Sequence, residues 1–595
     1  MKLYISKGYW ITSTILIGLI SLALSIIIPP FMSPDEVDHV KRAYWLSEGN
    51  FLLDTPPGQS SGGLVDSGLL DYMNGYYLTF MKDRQHKVTT EDLQNADSKR
   101  WSGISEFTPA PGTGYYFPAI YLPQAMALTL GKHLNLSIDT SYKLARLLAL
   151  LTSIALLLFA LSIYETSPLA LALLALPMTI FQFSSASLDG ISNSLAVLAI
   201  SLFMRIAQDG PQTKKWIPSI LSLSLFLLIS SRVHLLPMLA LPFIAFFYTK
   251  HKSTIWGATL STLATITWLA IAIKYTVDTR VTTGAPTGDI ILYYIQHPLS
   301  FFQVVIATIS KPEIQGFYYQ SFIGNLGWLD TPFTSATYIL LSAILLGVAI
   351  STIKPSTLKE QRISRLLLTI CATCSVLLVF FALLITYNPH PATFIQGVQG
   401  RYFLVPMLML AYAISGVHRG QTNFRRAIGF FFLIIFICTS GGETLKLLVS
   451  KYYITTTQTQ GQGQGTQLRP STKLTKTSPL VLKISESVLR EHRPVKRLKV
   501  LLATWATGHD GDATFHFQST DGKIITKNFE LSSVKDNRYY EFDIKNLPYA
   551  SSQILSDGGE GISLWNKVAP NGQVESCVIF EYDDGERTTD GCPPP

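Results

Sequence analysis

The chain of 595 residues is too apolar for a soluble protein of this length, because 48% of its residues are hydrophobic and only 14% are charged. With a mean hydropathy of +0.29 it has the composition of a multi-pass membrane protein. The net charge of +8 does not indicate nucleic-acid binding. Its basic residues mostly lie in short gaps between apolar segments, where the positive-inside rule explains them.

The first apolar span, residues 9–29, ends shortly before an acidic cluster, Asp35-Glu36-Val37-Asp38-His39. Charge at the point where a membrane helix leaves the bilayer is costly and tends to be retained for function. A carboxylate held there could act as a general base toward a lipid-linked substrate. The competing interpretation is a helix cap, because Ser33-Pro34-Asp35-Glu36 resembles a helix start, where acidic side chains favour the N-terminal dipole.

Eleven apolar segments have spanning length. They cover residues 9–29, 142–164, 167–186, 190–206, 216–231, 235–249, 254–275, 334–353, 366–386, 402–417 and 427–449. The distribution of Lys and Arg predicts a cytoplasmic N-terminus. Residues 116–134 are also apolar, but counting them as a span would invert every later loop. We therefore expect a non-spanning helix there, lying on the outer surface.

This orientation predicts two large outer loops, at 30–141 and 276–333, and an outer C-terminal region. We expect a transmembrane domain over 1–450, a flexible polar linker over 451–477 and an extracytoplasmic domain over 478–595.

The C-terminal domain has the pattern of a β-sandwich. Its predicted strands are 498–505, 513–518 and 539–544. Asp521-Gly522 is a predicted hairpin turn. Trp505 and Trp565 could stack on carbohydrate, although a spacer domain would have the same pattern. Cys577 and Cys592 could form a disulfide if the domain is extracytoplasmic.

Four motifs bracket residues 30–406. They are Pro34-Asp35-Glu36-Val37-Asp38-His39-Val40-Lys41-Arg42-Ala43-Tyr44; Tyr116-Phe117-Pro118-Ala119-Ile120-Tyr121-Leu122-Pro123 with Ala145-Arg146-Leu147; Gly324-Asn325-Leu326-Gly327-Trp328-Leu329-Asp330; and Gln399-Gly400-Arg401-Tyr402-Phe403-Leu404-Val405-Pro406. In this order and topology they resemble the GT-C glycosyltransferases, integral membrane enzymes that use polyprenyl-phosphate-linked sugars. A bacterial family of large membrane proteins, long catalogued as a domain of unknown function, is the closest resemblance.

The resemblance implies sugar transfer on the outer face, with an acidic residue at the start of the first outer loop as base. That role falls on Asp35 or on Glu36 beside it, and the choice stays open. Arg401, at the outer end of a span, could bind the leaving phosphate bidentately. Arg232, in a tight outer hairpin, is a second phosphate candidate. The alternative for Arg401 is an arginine that snorkels from a helix end.

Further side chains are expected to contact substrate. Asp38 and His39 share a helical face with Asp35, although a solvated helix face would have the same pattern. Trp328 offers a ring for sugar stacking and Asp330 a nearby carboxylate, the alternative being a tryptophan of the interface belt. The remaining candidates are Arg42, Tyr121, Asp189, Gln399 and Tyr402.

We therefore expect an α-helical multi-pass membrane protein with a C-terminal β-sandwich. Its function would be transfer of a sugar from a polyprenyl-phosphate donor to a cell-envelope glycan, such as an O-antigen, a capsule or a wall polysaccharide, at the bacterial inner membrane. The expected partners are membrane lipid, donor and glycan acceptor, without nucleic acid. No cofactor is indicated beyond the donor, and a divalent metal shared by the two carboxylates has no further ligand set. The alternatives are a polymerase or ligase with a pyrophosphate-linked donor, and a lipid-linked sugar flippase.

Overall fold

The structure is a computed structural model. It describes residues 5–280, 283–353, 361–415, 423–454, 467–484, 493–504, 509–568, 574–583, 585–588 and 592. The chain divides into two compact units, residues 1–456 and residues 457–595. The described part of the first unit is predominantly helical, and that of the second consists mainly of β-strands.

Helices account for most of the first unit. In chain order they are α1 (Ile5–Ile27), α2 (Glu36–Ser47), α3 (Ser67–Lys82), α4 (Thr90–Ser98), α5 (Leu122–His133), α6 (Ile138–Ile163), α7 (Pro168–Leu174), α8 (Pro177–Phe183), α9 (Asp189–Asp209), α10 (Trp216–Ile229), α11 (Ala240–Thr249), α12 (Lys252–Tyr275), α13 (Thr287–Gln296), α14 (Pro298–Ile309), α15 (Pro312–Ile323), α16 (Ser335–Thr352), α17 (Arg362–Tyr387), α18 (Leu404–Ile414) and α19 (Asn423–Tyr452).

Among the described residues, seven helices are long and apolar enough to cross a membrane. They are α1, α6, α9, α12, α16, α17 and α19. The most enclosed of them is α9, in which 89% of the residues in the most apolar stretch are buried. This position brings Asp189, the first residue of α9, into the interior of the helical unit.

The remaining four predicted spans differ from expectation. The segment 167–186 does not form one helix but breaks into α7 and α8. Pro177 lacks a backbone N–H and disfavours helical backbone at Leu176, whose φ of −56° and ψ of 142° are extended. The segments at 216–231, 235–249 and 402–417 form shorter apolar helices. Among the described residues, seven of the eleven predicted spans are therefore observed as single long helices.

Two features lie in the predicted outer loops. The expected non-spanning helix at 116–134 is α5, whose 12 residues extend only about 18 Å, too short to cross a bilayer. In the second loop, α13 and α14 meet at a bend of 100°. This bent helix pair has no counterpart in the sequence-based prediction.

Strands form two short pairs in the first unit and a large sheet in the second. In chain order they are β1 (Gly62–Asp66), β2 (Ser105–Pro109), β3 (Asn325–Leu326), β4 (Thr331–Pro332), β5 (Gln467–Pro470), β6 (Leu480–Val481), β7 (Pro494–Ala503), β8 (Asp512–Ser519), β9 (Ile524–Glu530), β10 (Arg538–Ser556), β11 (Ser563–Val568), β12 (Val574–Ser576), β13 (Val578–Tyr582) and β14 (Gly585–Thr588). Each of the pairs β1–β2 and β3–β4 is antiparallel.

The long strand β10 organises the second unit. Its first part pairs with β7 and its second part with β8, with a register shift between Asp543 and Leu547. Because β10 changes partner, the ten described strands of this unit form one connected sheet. An apolar core accompanies the sheet, and in it the rings of Phe515 and Phe542 stack with centroids 3.9 Å apart.

The predicted strands at 498–505, 513–518 and 539–544 are confirmed within β7, β8 and β10, and Gly522, with φ of 77°, lies in the turn between β8 and β9. Trp505 lies outside the described residues, as do residues 455–466 of the predicted linker. Another part of that linker was predicted wrongly, because Gln467–Pro470 forms β5 and pairs with β11. Cys577 and Cys592 are joined by a disulfide bond.

Candidate functional site

The start of α2 separates the two adjacent carboxylates. Asp35 has a left-handed backbone, with φ of 60° and ψ of 4°, and its side chain makes no capping hydrogen bond. Aspartate tolerates this region better than most residues, but it is still uncommon there. The turn aims Asp35 and Glu36 in different directions. The side chain of Asp35 is 61% exposed, whereas that of Glu36 is completely buried.

Glu36 is held by donors on every side. Arg146 donates to both of its oxygens at 3.1 Å, and the hydroxyl of Tyr142 and the backbone N–H of Ala186 donate to Oε1 at 2.8 and 2.7 Å. Arg146 is also buried and donates to backbone carbonyls at the end of α1. The buried ion pair of Glu36 and Arg146 thus connects α2 to α6. The structure therefore favours a structural role for Glu36 over the catalytic role considered from the sequence.

Asp35 belongs to a chain of four alternating charges. Arg401 donates through Nη2 to Asp35 Oδ2 at 2.6 Å and through Nη1 to Asp189 Oδ2 at 3.3 Å. Arg232 donates to the other oxygen of Asp189. The order is Arg232, Asp189, Arg401, Asp35. Only the Asp35 side chain is well exposed, since those of Arg401 and Asp189 are 4% and 8% exposed.

These four residues line a cavity of about 170 Å³, called here the arginine cavity. Tyr116 and Tyr402 also line it, and their rings lie 5.7 Å from the guanidinium of Arg232 and 5.3 Å from that of Arg401. Another wall is apolar and comes from the C-terminal half of α17, with Val379, Ala382 and Leu383. The cavity thus combines two guanidinium groups with the side of a candidate membrane helix.

His39 completes this cavity as a neutral side chain. It is buried, and its Nδ1 shares a hydrogen bond of 2.7 Å with the hydroxyl of Tyr121. Burial lowers the pKa of His39 from 6.5 to about 3, and the charges of Arg232 and Arg401 act in the same direction against that of Asp35. The imidazole therefore adds a polar group but no charge at neutral pH.

The pKa of Asp35 is set by opposing effects. The surrounding protein favours the neutral acid, but the charges of Arg401 and Arg232 and the hydrogen bond from Arg401 outweigh this effect. The pKa of Asp35 therefore lies below its ordinary value of 3.8. Asp35 is ionised at neutral pH, as a proton acceptor must be.

A second cavity of about 710 Å³ opens on the other side of Asp35 and is called here the loop cavity. It is lined by the first loop, by residues 328–329 and by Gln399 and Arg280. Among the described residues, Asp35 alone lines both cavities. One carboxylate therefore faces a compartment with two arginines and a larger compartment built mostly from residues of the predicted outer loops.

The loop cavity has a fixed aromatic element. The rings of Tyr77 and Trp328 lie 5.1 Å apart at an angle of 52°, and both line the cavity. The indole N–H of Trp328 donates to the carbonyl of Phe31 at 2.9 Å. Since Phe31 lies four positions before Asp35, the tryptophan is attached to the turn that carries the carboxylate.

The structure brings most of the sequence-derived candidates together. His39, Asp189, Arg232, Arg401 and Tyr402 line the arginine cavity with Asp35, and Glu36, Asp38, Trp328 and Gln399 line the loop cavity with it. Gln399 also connects the two, because its Oε1 accepts a hydrogen bond from Arg401 Nε at 2.6 Å.

Three candidates line neither cavity. Arg42 is buried and donates to the carbonyls of Asn50 and Phe51, so it fixes the chain after α2. Tyr121 is buried behind His39. Asp330 accepts from the backbone N–H of Trp328 at 3.2 Å and stabilises the turn between β3 and β4. Each makes a structural contact, and the substrate contact expected of it stays a prediction.

No group of three or more His, Cys, Asp or Glu side chains with metal-binding geometry occurs among the described residues.

Residues 18–411 match the family described as "Predicted membrane protein (DUF2142)". The chain belongs to this family. No curated protein and no solved structure matches the chain. The DUF2142 region contains every residue that lines the two cavities, whereas the β-stranded unit lies outside it. The match confirms the expected membership in a membrane-protein family of unknown function.

Sequence reasoning missed several residues of the DUF2142 region that complete the site. Arg146 is one of them, although an arginine inside an apolar helix indicates a buried partner. Tyr77 and Arg280, which line the loop cavity, lie in the predicted outer loops, where no local pattern distinguishes them. Their placement depends on contacts between distant parts of the chain.

Proposed function

We propose that the protein is a GT-C-type glycosyltransferase of the bacterial inner membrane. It moves a sugar from a polyprenyl-phosphate donor to a cell-envelope glycan at the outer face of the membrane. The observation that carries the proposal is the position of Asp35 between the arginine cavity and the loop cavity. A transferase needs its base where donor and acceptor meet, and Asp35 is the ionised group at that junction.

The arginine cavity suits the phosphate of the donor. Guanidinium groups bind phosphate oxygens in a planar, bidentate manner, and Arg401 and Arg232 face one space. Val379, Ala382 and Leu383 of α17 form an apolar wall beside them. A lipid phosphate has this combination of properties, since an anionic group is followed by a hydrocarbon chain.

The reaction is a direct displacement. Asp35 takes the proton of an acceptor hydroxyl, and the hydroxyl oxygen forms a bond to the anomeric carbon of the donor sugar. The bond from that carbon to the phosphate oxygen breaks, and its electron pair stays on the phosphate. Arg401 and Arg232 stabilise the charge that develops there. Attack opposite the leaving group inverts the anomeric carbon.

The second unit fits an extracytoplasmic β-sandwich in this proposal. Its disulfide between Cys577 and Cys592 suits an oxidising compartment. With a cytoplasmic N-terminus, the acidic cluster after α1 would lie at the outer face of the membrane.

The first test compares envelope glycans. Cells that lack the endogenous protein are complemented with the wild type, Asp35→Asn, Arg401→Ala or the control Asp71→Asn. Asp71 is an exposed carboxylate of α3 that lines neither cavity. We expect one sugar to disappear in the two site variants and to persist in the control. Identical glycans in all four strains, with equal protein on a blot, would overturn the proposal.

The second test separates the proposal from its alternatives. The purified chain in detergent is given a polyprenyl-phosphate sugar and the glycan isolated from the deficient strain. No membrane separates donor from acceptor in detergent, so transfer there requires an enzyme and not a flippase. A requirement for a pyrophosphate-linked oligosaccharide would instead indicate a polymerase or ligase.

A further inference from the structure

The loop cavity contains an unsatisfied buried hydroxyl. Ser33 is 2% exposed and lines this cavity, and its Oγ has no hydrogen-bond partner among the described residues. A buried hydroxyl without a partner costs about 1–3 kcal/mol, and a ligand or a water molecule in the cavity would remove this cost. Ser33 lies two positions before Asp35 and therefore close to the proposed point of reaction.

The aromatic pair supplies an apolar surface in the same cavity. Tyr77 and Trp328 are partly exposed, and their mutual contact and the hydrogen bond from Trp328 to Phe31 restrict both rings. A rigid aromatic face loses little conformational entropy on binding and packs well against the apolar face of a sugar ring. The exposed amide of Asn74 lies along the same cavity and can hydrogen-bond to hydroxyl groups.

The charges of the loop cavity disfavour an anionic ligand. Glu36 is neutralised by Arg146, so the remaining acidic groups are Asp35, Asp38 and Glu106, against the cations Lys41 and Arg280. Both cations already have acidic partners. Lys41 lies 3.4 Å from Asp38, and Arg280 lies 2.7 Å from Asp278. Asp35 is likewise paired with Arg401, so the charged groups of the lining largely cancel. No surplus cation is left for an anionic ligand, and the remaining polar groups suit neutral hydroxyls.

We propose that the loop cavity is the acceptor subsite and that its ligand is an uncharged carbohydrate chain. One sugar ring stacks on Trp328 and Tyr77, and the hydroxyl of Ser33 hydrogen-bonds to the ring that presents its hydroxyl to Asp35. The volume of about 710 Å³ lies within the ~300–1,000 Å³ typical of ligand sites. This assignment rests on the proposed function and specifies its acceptor class.

The test measures acceptor binding without turnover. The full-length Asp35→Asn protein in detergent is titrated with oligosaccharides released from the envelope polysaccharide by mild acid. Anion exchange first separates these into a neutral and an acidic pool, and saturation-transfer NMR detects binding. We expect binding of the neutral pool, and loss of it when Tyr77→Ala or Trp328→Ala is added. Trp256→Ala serves as the matched control, because Trp256 is exposed on α12 and lines neither cavity.

Kinetics of the otherwise wild-type protein provide the second measurement. Tyr77→Ala is expected to raise the KM for acceptor by about tenfold, the loss of one good stacking contact, and to leave the KM for donor unchanged. Tyr77→Ala preserves the hydrogen bond between Trp328 and Phe31, so this variant guards against misfolding of Trp328→Ala. Ser33→Ala is expected to raise the same KM.

The outcomes distinguish this inference from the proposed function. Transfer with an unchanged acceptor KM in Tyr77→Ala, or preferential binding of the acidic pool, would overturn the subsite and leave the transferase intact. Binding of the neutral pool through Tyr77 and Trp328, without any transfer by the wild type, would support a carbohydrate site and refute the enzyme.

Discussion

Asp35 and Arg401 are separated by 366 positions in the chain, yet their side chains are joined at 2.6 Å. Arg401 is also bound to Asp189 and Gln399, so each of its donor edges has a protein partner. These bonds use three of the five guanidinium N–H groups, so a phosphate bound by Arg401 either uses the other two or competes with these partners. Asp35 is the exposed partner, whereas Asp189 is buried. In the proposed reaction, the phosphate of the donor would take the place of Asp35 on Arg401 and so release the carboxylate for the acceptor.

This exchange predicts opposite effects of Asp35→Asn on binding and on transfer. Removal of the base should lower the transfer rate by roughly 10²–10⁴-fold. Loss of the competing carboxylate should leave Arg401 more available, so the affinity for polyprenyl phosphate should be equal or higher. Turnover of the purified protein and binding of polyprenyl phosphate measure the two effects. Reduced affinity would contradict the exchange, and Asp71→Asn should change neither quantity.

The shape of the Arg401 side chain matters as well as its charge. Arg401→Lys keeps the charge but cannot contact both carboxylates and a phosphate in one plane. Loss of one charge-assisted hydrogen bond of about 1.5–3 kcal/mol should raise the KM for donor by about 10–100-fold. Arg100→Ala, at an exposed position outside both cavities, is the control. An unchanged KM for donor in Arg401→Lys would remove Arg401 from the phosphate site.

The ion pair of Glu36 and Arg146 should contribute to the stability of the fold and not directly to the transfer reaction. Glu36→Leu leaves a buried guanidinium without its partner and should cost about 3–5 kcal/mol of unfolding free energy. Glu36→Leu combined with Arg146→Met should recover much of that loss, since both charges are then absent. Thermal unfolding in detergent measures this. A Glu36→Leu protein that unfolds like the wild type but has lost transfer would point to a catalytic role instead.

His39 predicts an acid-sensitive step in stability. Because its folded-state pKa is about 3, the unfolded chain binds a proton between pH 6.5 and about 3 that the folded chain does not. Stability should therefore fall as the pH falls across this window. His39→Gln keeps a hydrogen-bonding partner for Tyr121 and removes the titration, so its unfolding temperature should depend less on pH. The exposed His133 of α5 supplies the control His133→Gln, which should retain the wild-type dependence.

The disulfide should stabilise the second unit without affecting the site in the first unit. The two cysteines are 15 positions apart, and closure of such a loop is worth about 3 kcal/mol. Cys577→Ser with Cys592→Ser should lower the unfolding temperature of the β-stranded unit in the full chain. Donor binding by the helical unit should be unaffected. Loss of donor binding in this double variant would instead tie the site to the second unit.

Much of the arginine cavity could be predicted from sequence because its residues carry local signals. Asp35 follows a membrane helix, and Arg401 and Arg232 lie at the ends of apolar segments where charge is costly. The contacts of Arg42 have no such local signal. The pattern of α2 gives its helical face, but what packs on that face is decided by Asn50 and Phe51 in the following loop.

The loop cavity could not be foreseen in the same way. Tyr77, Trp328 and Arg280 come from three segments that are distant in sequence, and their meeting depends on the packing of irregular outer loops. The break within residues 167–186 has a local signal in Pro177. The continuous apolar composition of this segment nevertheless favours a single span.

The hydrogen bond from Trp328 to Phe31 fixes the distance between the indole ring and Asp35 as well as the orientation of the ring. In the proposed reaction, a ring stacked on the indole lies at a set distance from Asp35, because both depend on one short turn. Only the hydroxyl at that distance meets the carboxylate. The distance between the indole and the carboxylate would then select one hydroxyl position on the acceptor sugar. In this way it would determine the linkage of the finished glycan.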